Sequence, residues 1–138
     1  MNKRNILAVK VMDFLNDYTA TAGWVFELEQ VGDAYVVSTT LKHTKGTDLA
    51  IAYIIEKDCA RLRVIFNNSN CTSEYLKEKV MASKINFNVG GLELEDSEFA
   101  LESLMSLDTL KEETYTIANE RMTAMMKIVT DIANETAN

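Results

Sequence analysis

The sequence predicts an α+β fold in which an antiparallel sheet is packed by helices, and three observations carry that expectation. Two regions, 24–41 and 49–66, alternate residue character with the period of two that a half-buried strand requires. The two ends of the chain and the segment after Ser73 repeat instead at the helical period. Turn formers at Gly32-Asp33, Asp58 and Gly90-Gly91 separate them. The resulting order is α-ββββ-α-ββ-α, read as a single domain over 1–138, because no proline, low-complexity tract or repeat marks a boundary.

Asn2 to Tyr18 places Leu7, Val11, Phe14, Leu15 and Tyr18 on one side and Lys3, Lys10, Asp13 and Asp17 on the other, an amphipathic helix. Lys3 and Arg4 ahead of Ile6 to Val9 superficially suggest a signal peptide, but Lys10 and Asp13 interrupt the apolar run, so the expected location is cytoplasmic. After Gly23, Trp24, Phe26 and Leu28 alternate with Val25, Glu27 and Glu29 in a first strand. Gly32-Asp33 turns the chain into a second, antiparallel strand carrying Tyr35, Val37, Thr39 and Leu41. A loop over Thr44 to Asp48 leads to a third strand with Leu49, Ile51, Tyr53 and Ile55 on one face and Ala50, Ala52 and Ile54 on the other. Two apolar faces predict a central strand covered on both sides or touching a partner. In the fourth strand, Leu62, Val64 and Phe66 alternate with Arg61, Arg63 and Ile65.

Asn70, Thr72 and Ser73 are N-cap candidates for a helix from Ser73 to about Lys84, with Glu74 and Glu78 favouring its N-terminus. The rest of the chain is organised around the stretch Ile85 to Leu107. Gly90 or Gly91 is expected at positive φ, turning helix into strand. Leu92 and Leu94 then alternate with Glu93 and Glu95, and Asp96, Ser97 and Glu98 connect to a second strand from Phe99. The last helix is expected from an N-cap at Asp108 to about Asn134. Its residues Tyr115, Ala118, Met122, Met125, Val129 and Ile132 follow 3,4,3,4,3 spacing, widened by Met126 and Ile128. Packing on the sheet accounts for so short a seam better than a coiled coil does.

The net charge of −7 is concentrated. Glu93 to Glu113 holds eight acids against Lys111, while the rest of the chain balances thirteen acids with thirteen bases. This distribution disfavours phosphate backbones and anionic membranes and suits a basic protein partner. No apolar run approaches the roughly 20 residues of a membrane span. Cys59 and Cys71, twelve positions apart, lack the companions of a zinc site and read as reduced thiols. His43, the one histidine, falls among Lys42, Thr44 and Lys45 at a strand end, a solvent-exposed setting. Asp96, Glu98 and Glu102 do not match a calcium loop, and no P-loop, GxGxxG or GxSxG is present, so neither metal nor cofactor is expected.

Asn86 near the end of the second helix, Gly90-Gly91 just after Asn88, the Leu92/Leu94 strand and the amphipathic last helix give a pattern that resembles the YbjN-like family of bacterial sensory transduction regulators. That family is related in fold to type III secretion chaperones. The resemblance implies a non-enzymatic α+β protein, commonly dimeric, that binds other proteins. The expected function is therefore a protein-interaction module, a small acidic chaperone-like or regulatory protein. The alternative is a small-ligand binder or enzyme with an apolar pocket between the sheet and the C-terminal helix, lined by Trp24, Tyr53, Met122, Met125 and Met126. A homodimer is expected, with Tyr53, Ile54, Met122, Met125 and Met126 as dimer or partner contacts. Carboxylates facing their own copies would repel. The acidic face of Glu93, Glu95, Asp96, Glu98 and Glu102 is thus expected to point away from the dimer, open to a basic partner.

Overall fold

The computed structural model describes residues 3–42, 48–110 and 115–136. Helix α1 spans Lys3–Tyr18, strands β1 to β4 span Glu27–Val31, Ala34–Lys42, Asp48–Ile55 and Ala60–Asn67, and helix α2 spans Ser73–Ala82. Strands β5 (Gly90–Glu95) and β6 (Glu98–Met105) precede helix α3, Tyr115–Thr136. Short 3-10 turns cover Ala20–Ala22 and Leu107–Leu110. His43, Lys111, Glu112 and Glu113 lie outside the described residues.

The six strands form one antiparallel sheet in the order β1-β2-β3-β4-β6-β5. Helix α2 carries the chain past β4, so β6 pairs with β4 and β5 becomes an edge. Alternation directs Tyr35, Val37, Ile51, Tyr53, Leu62, Val64, Phe99 and Leu101 to one face, where α1 contributes Ala8, Val11 and Leu15, α2 Leu76, and α3 Met122, Met125, Val129 and Ile132 to the same core. The apolar pattern of the third strand predicts cover on both sides; the described helices cover one.

Several local expectations shift, each for a visible reason. The first strand begins at Glu27 rather than Trp24, because Asn16 of α1 binds the backbone of Phe26: its Nδ2 donates to the Phe26 carbonyl (3.2 Å) and its Oδ1 accepts from the Phe26 N–H (2.6 Å). Those groups are satisfied by a helix side chain instead of a sheet ladder. Tyr18, assigned to the buried stripe of α1, is exposed. Thr72 is the N-cap of α2, its hydroxyl accepting from the Tyr75 N–H at 3.1 Å. The helix ends at Ala82 and the positive φ falls on Lys84 (54°), whereas neither Gly90 nor Gly91 has one. The reversal therefore belongs to the end of α2, and Gly91 serves close approach: a Cβ there would lie 3.0 Å from Leu76 Cγ. The hairpin turn is shorter than expected, with Ser97 at φ 63° and Glu98 already paired with Glu95. Asp108 lies in a 3-10 turn rather than capping the long helix, which is assigned from Tyr115.

Candidate functional site

The face of the sheet that no described helix covers is built by the alternate residues of β2 to β6. Cross-strand register sets them in rows: Val36, Ile54, Arg61 and Leu104; Ser38, Ala52, Arg63 and Glu102; Thr40, Ala50, Ile65, Ala100 and Leu92. An antiparallel sheet with a solvent face ordinarily alternates to polar residues there. Here Val36, Ile54, Ile65, Leu92 and Leu104 surround a cluster of paired charge.

That cluster is centred on Glu102. Arg61 Nη1 donates to Glu102 Oε1 at 2.7 Å and Arg63 Nε to Oε2 at 2.5 Å, while Arg61 also pairs with Glu56. The Glu102 side chain is only 15% exposed. Burial pushes its carboxyl pKa up, but the hydrogen bonds from Arg63 and Arg61 outweigh that effect, and the net shift is downward. With its charges internally matched, the centre of the face can be covered without leaving a lone ion in a dry interface. Around it Leu104 is 57% exposed, Leu92 is exposed, and Val36, Ile54 and Ile65 are half-buried.

The residues singled out by sequence scatter over three environments. Tyr53, Met122 and Met125 are fully enclosed in the core, and the Tyr53 hydroxyl donates to the Ala118 carbonyl at 3.4 Å. They offer no surface to a partner, which corrects their assignment as contacts. Met126 is half-buried, and Ile54 alone of the five lies on the open face. Beside Tyr53 and Ala118 lies a cavity of about 10 Å³, too small for a ligand, and Met122 and Met125 are buried in the core. The acidic group is divided too. Glu102 is neutralised, and Glu93 accepts from Ser73 Oγ at 2.9 Å beside the start of α2. Glu95 and Asp96 are exposed at the hairpin, with Glu98 half-buried across from Glu95.

Sequence reasoning missed Arg61, Arg63, Glu56, Ile65 and Leu104 as members of one surface. Their alternation with Leu62, Val64 and Phe66 put the arginines on the outward face, but Glu102 joins them only because β6 lies beside β4. Among the described residues no three His, Cys, Asp or Glu side chains converge on a metal position, and no helix is long and apolar enough to cross a membrane. Both cysteine thiols are free, with Cys71 buried. Comparison with protein-family models, curated proteins and solved structures returns no match for this chain.

Proposed function

We propose that the protein is a non-enzymatic, chaperone-like interaction module that holds a protein partner on the open face of its sheet. The single observation carrying this reading is the face itself: apolar side chains, including Ile54, Leu92 and Leu104, on both sides of the Glu102 cluster. Contiguous exposed apolar surface around satisfied charges is what a docking surface needs. The element order α-ββββ-α-ββ-α, the pattern in which the sequence resembles the YbjN-like family with its relation in fold to type III secretion chaperones, supports the same reading. A homodimer through this face fits it as well, since Glu95 and Asp96 at the hairpin tip stay clear of the open rows and free for a basic partner.

The test compares the wild type with a Leu92→Asp/Leu104→Asp variant, both sites being exposed and the fold therefore retained. Sedimentation equilibrium at high micromolar concentration reads self-association, and affinity purification from the native cell with mass spectrometry reads a stoichiometric protein partner. Association lost in the variant, with circular dichroism unchanged, supports the proposal. A wild-type chain that is strictly monomeric and brings down no protein partner overturns it.

A further inference from the structure

The sheet has two edge strands, β1 and β5, and they are finished differently. At β5 the pairing is irregular between Glu93 and Glu95, and α2 lies against Gly91 through Leu76. At β1 the register with β2 is unbroken from Glu27 to Val31. The two-residue turn Gly32-Asp33 closes on the pair Val31 and Ala34, which makes that pair hydrogen-bonded, together with the alternate pairs Glu29 with Val36 and Glu27 with Ser38. The backbone N–H and C=O groups of Leu28 and Gln30, and of Phe26 just ahead of the strand, consequently point away from β2.

Asn16 already occupies the first of these outward positions. Its Oδ1 accepts from the Phe26 N–H at 2.6 Å and its Nδ2 donates to the Phe26 carbonyl at 3.2 Å, the two bonds that a neighbouring antiparallel strand would make. The mimicry stops there. Among the described residues no hydrogen bond reaches the outward backbone groups of Leu28 or Gln30. An open ladder of this kind is a template for adding a strand.

Charge selects what can be added. Glu27 and Glu29 are exposed, and neither joins an ion pair among the described residues. A second copy of β1 would set these carboxylates against each other. Centring the two-fold on Leu28 places Glu27 opposite the copy's Glu29, and setting Leu28 opposite Gln30 places Glu29 opposite itself; a further shift leaves only Glu29 to Val31 in the ladder. Like charges directly opposite are destabilising, whereas opposite charges there are favourable.

We propose that β1 accepts an extended basic peptide segment as an added antiparallel strand, with Lys or Arg opposite Glu27 and Glu29 and apolar residues opposite Leu28 and Gln30. The site is separate from Leu92 and Leu104 and does not rest on the open-face reading.

The probe is an end-capped heptapeptide alternating lysine and valine, titrated into the full chain and followed by amide nuclear magnetic resonance and hydrogen exchange. In the free chain the Leu28 and Gln30 amides are expected to exchange faster than that of Glu29, and saturating peptide is expected to protect them. Methylating the valine backbone nitrogens, which face β1 in this register, is expected to weaken binding about tenfold or more, whereas methylating the lysine nitrogens, which face solvent, is tolerated. Glu27→Lys/Glu29→Lys is expected to bind the peptide about tenfold more weakly and to take a glutamate–valine counterpart instead. Leu92→Asp/Leu104→Asp is expected to retain the lysine–valine peptide, so that failure here and failure of the open-face reading are read apart. No saturable change at millimolar peptide overturns the proposal, as does binding that is indifferent to valine methylation or lost equally on lysine methylation. The methylated peptides decide on the wild-type chain alone, even if the charge-reversed variant fails to fold.

Discussion

Gly91→Ala and Gly90→Ala, measured side by side, test how α2 is seated on the sheet. A Cβ on Gly91 meets Leu76 Cγ at 3.0 Å and Cδ2 at 3.1 Å, and Leu76 is fully buried, so it has no solvent to swing into. Overpacking of this kind costs about 1–3 kcal/mol. Alanine returns roughly 0.4–1 kcal/mol by restricting the unfolded chain. A net loss of about 1–2 kcal/mol results. Gly90 has no atom within 4 Å of its would-be Cβ and no positive φ, so its variant keeps only the gain. The two variants are thus separated by about 2 kcal/mol, or roughly 6–8 °C in a chain of this size. Thermal unfolding followed by circular dichroism at neutral pH reads the difference. In a Leu76→Ala background the Gly91→Ala cost is expected to vanish, because the clash is pairwise. Equal melting temperatures for the two alanine variants refute the close-approach account, and equal large losses would restore a conformational role for the glycine pair.

The polar contacts lead to two more expected outcomes. Glu102→Gln is expected to destabilise by about 1–3 kcal/mol at pH 7, since hydrogen bonds to two guanidinium groups are weakened. The folded carboxyl pKa is depressed, so this contribution is present above the ordinary value of 4.5 and lost as pH falls through the folded value; urea titrations from pH 7 to pH 3 should show the gap between variant and wild type closing, and a constant gap refutes the assignment. Thr72→Ala should cost about 1 kcal/mol through the lost N-cap of α2, and Thr72→Ser should recover most of it in the same assay.

The element order was legible because strands and helices announce themselves through periods that local residues set. Leu62, Val64 and Phe66 against Arg61, Arg63 and Ile65 alternate regardless of what lies beside them, and Ala118, Met122, Met125, Val129 and Ile132 form one helical stripe that the structure buries. Features that depend on neighbours were not legible. Asn16 does not advertise that it will occupy the backbone of Phe26 and delay β1. Gly90-Gly91 resembles a reversal signal, yet the turn is made at Lys84, and Gly91 is small because α2 lies against it. Both explanations require a partner ten or more residues away.

The acidic segment shows the same limit in charge rather than shape. A count along Glu93 to Glu113 treats its carboxylates as one negative region, but a strand sends successive side chains to opposite faces. Glu93 goes to Ser73 beside α2, while Glu102 goes to the open face, where the sheet order brings it between Arg61 and Arg63. Placing β6 beside β4 therefore does two things at once. It removes Glu102 from the negative excess, and together with Glu56 it lets Glu102 balance the charges of Arg61 and Arg63 on a face otherwise lined by Val36, Ile54, Ile65, Leu92 and Leu104. An arginine pair without Glu102 would leave that face cationic and costly to desolvate. With it, the same residues make a surface that apolar contacts can cover, and the carboxylates left exposed at Glu95 and Asp96 sit at the hairpin tip, beyond the open rows.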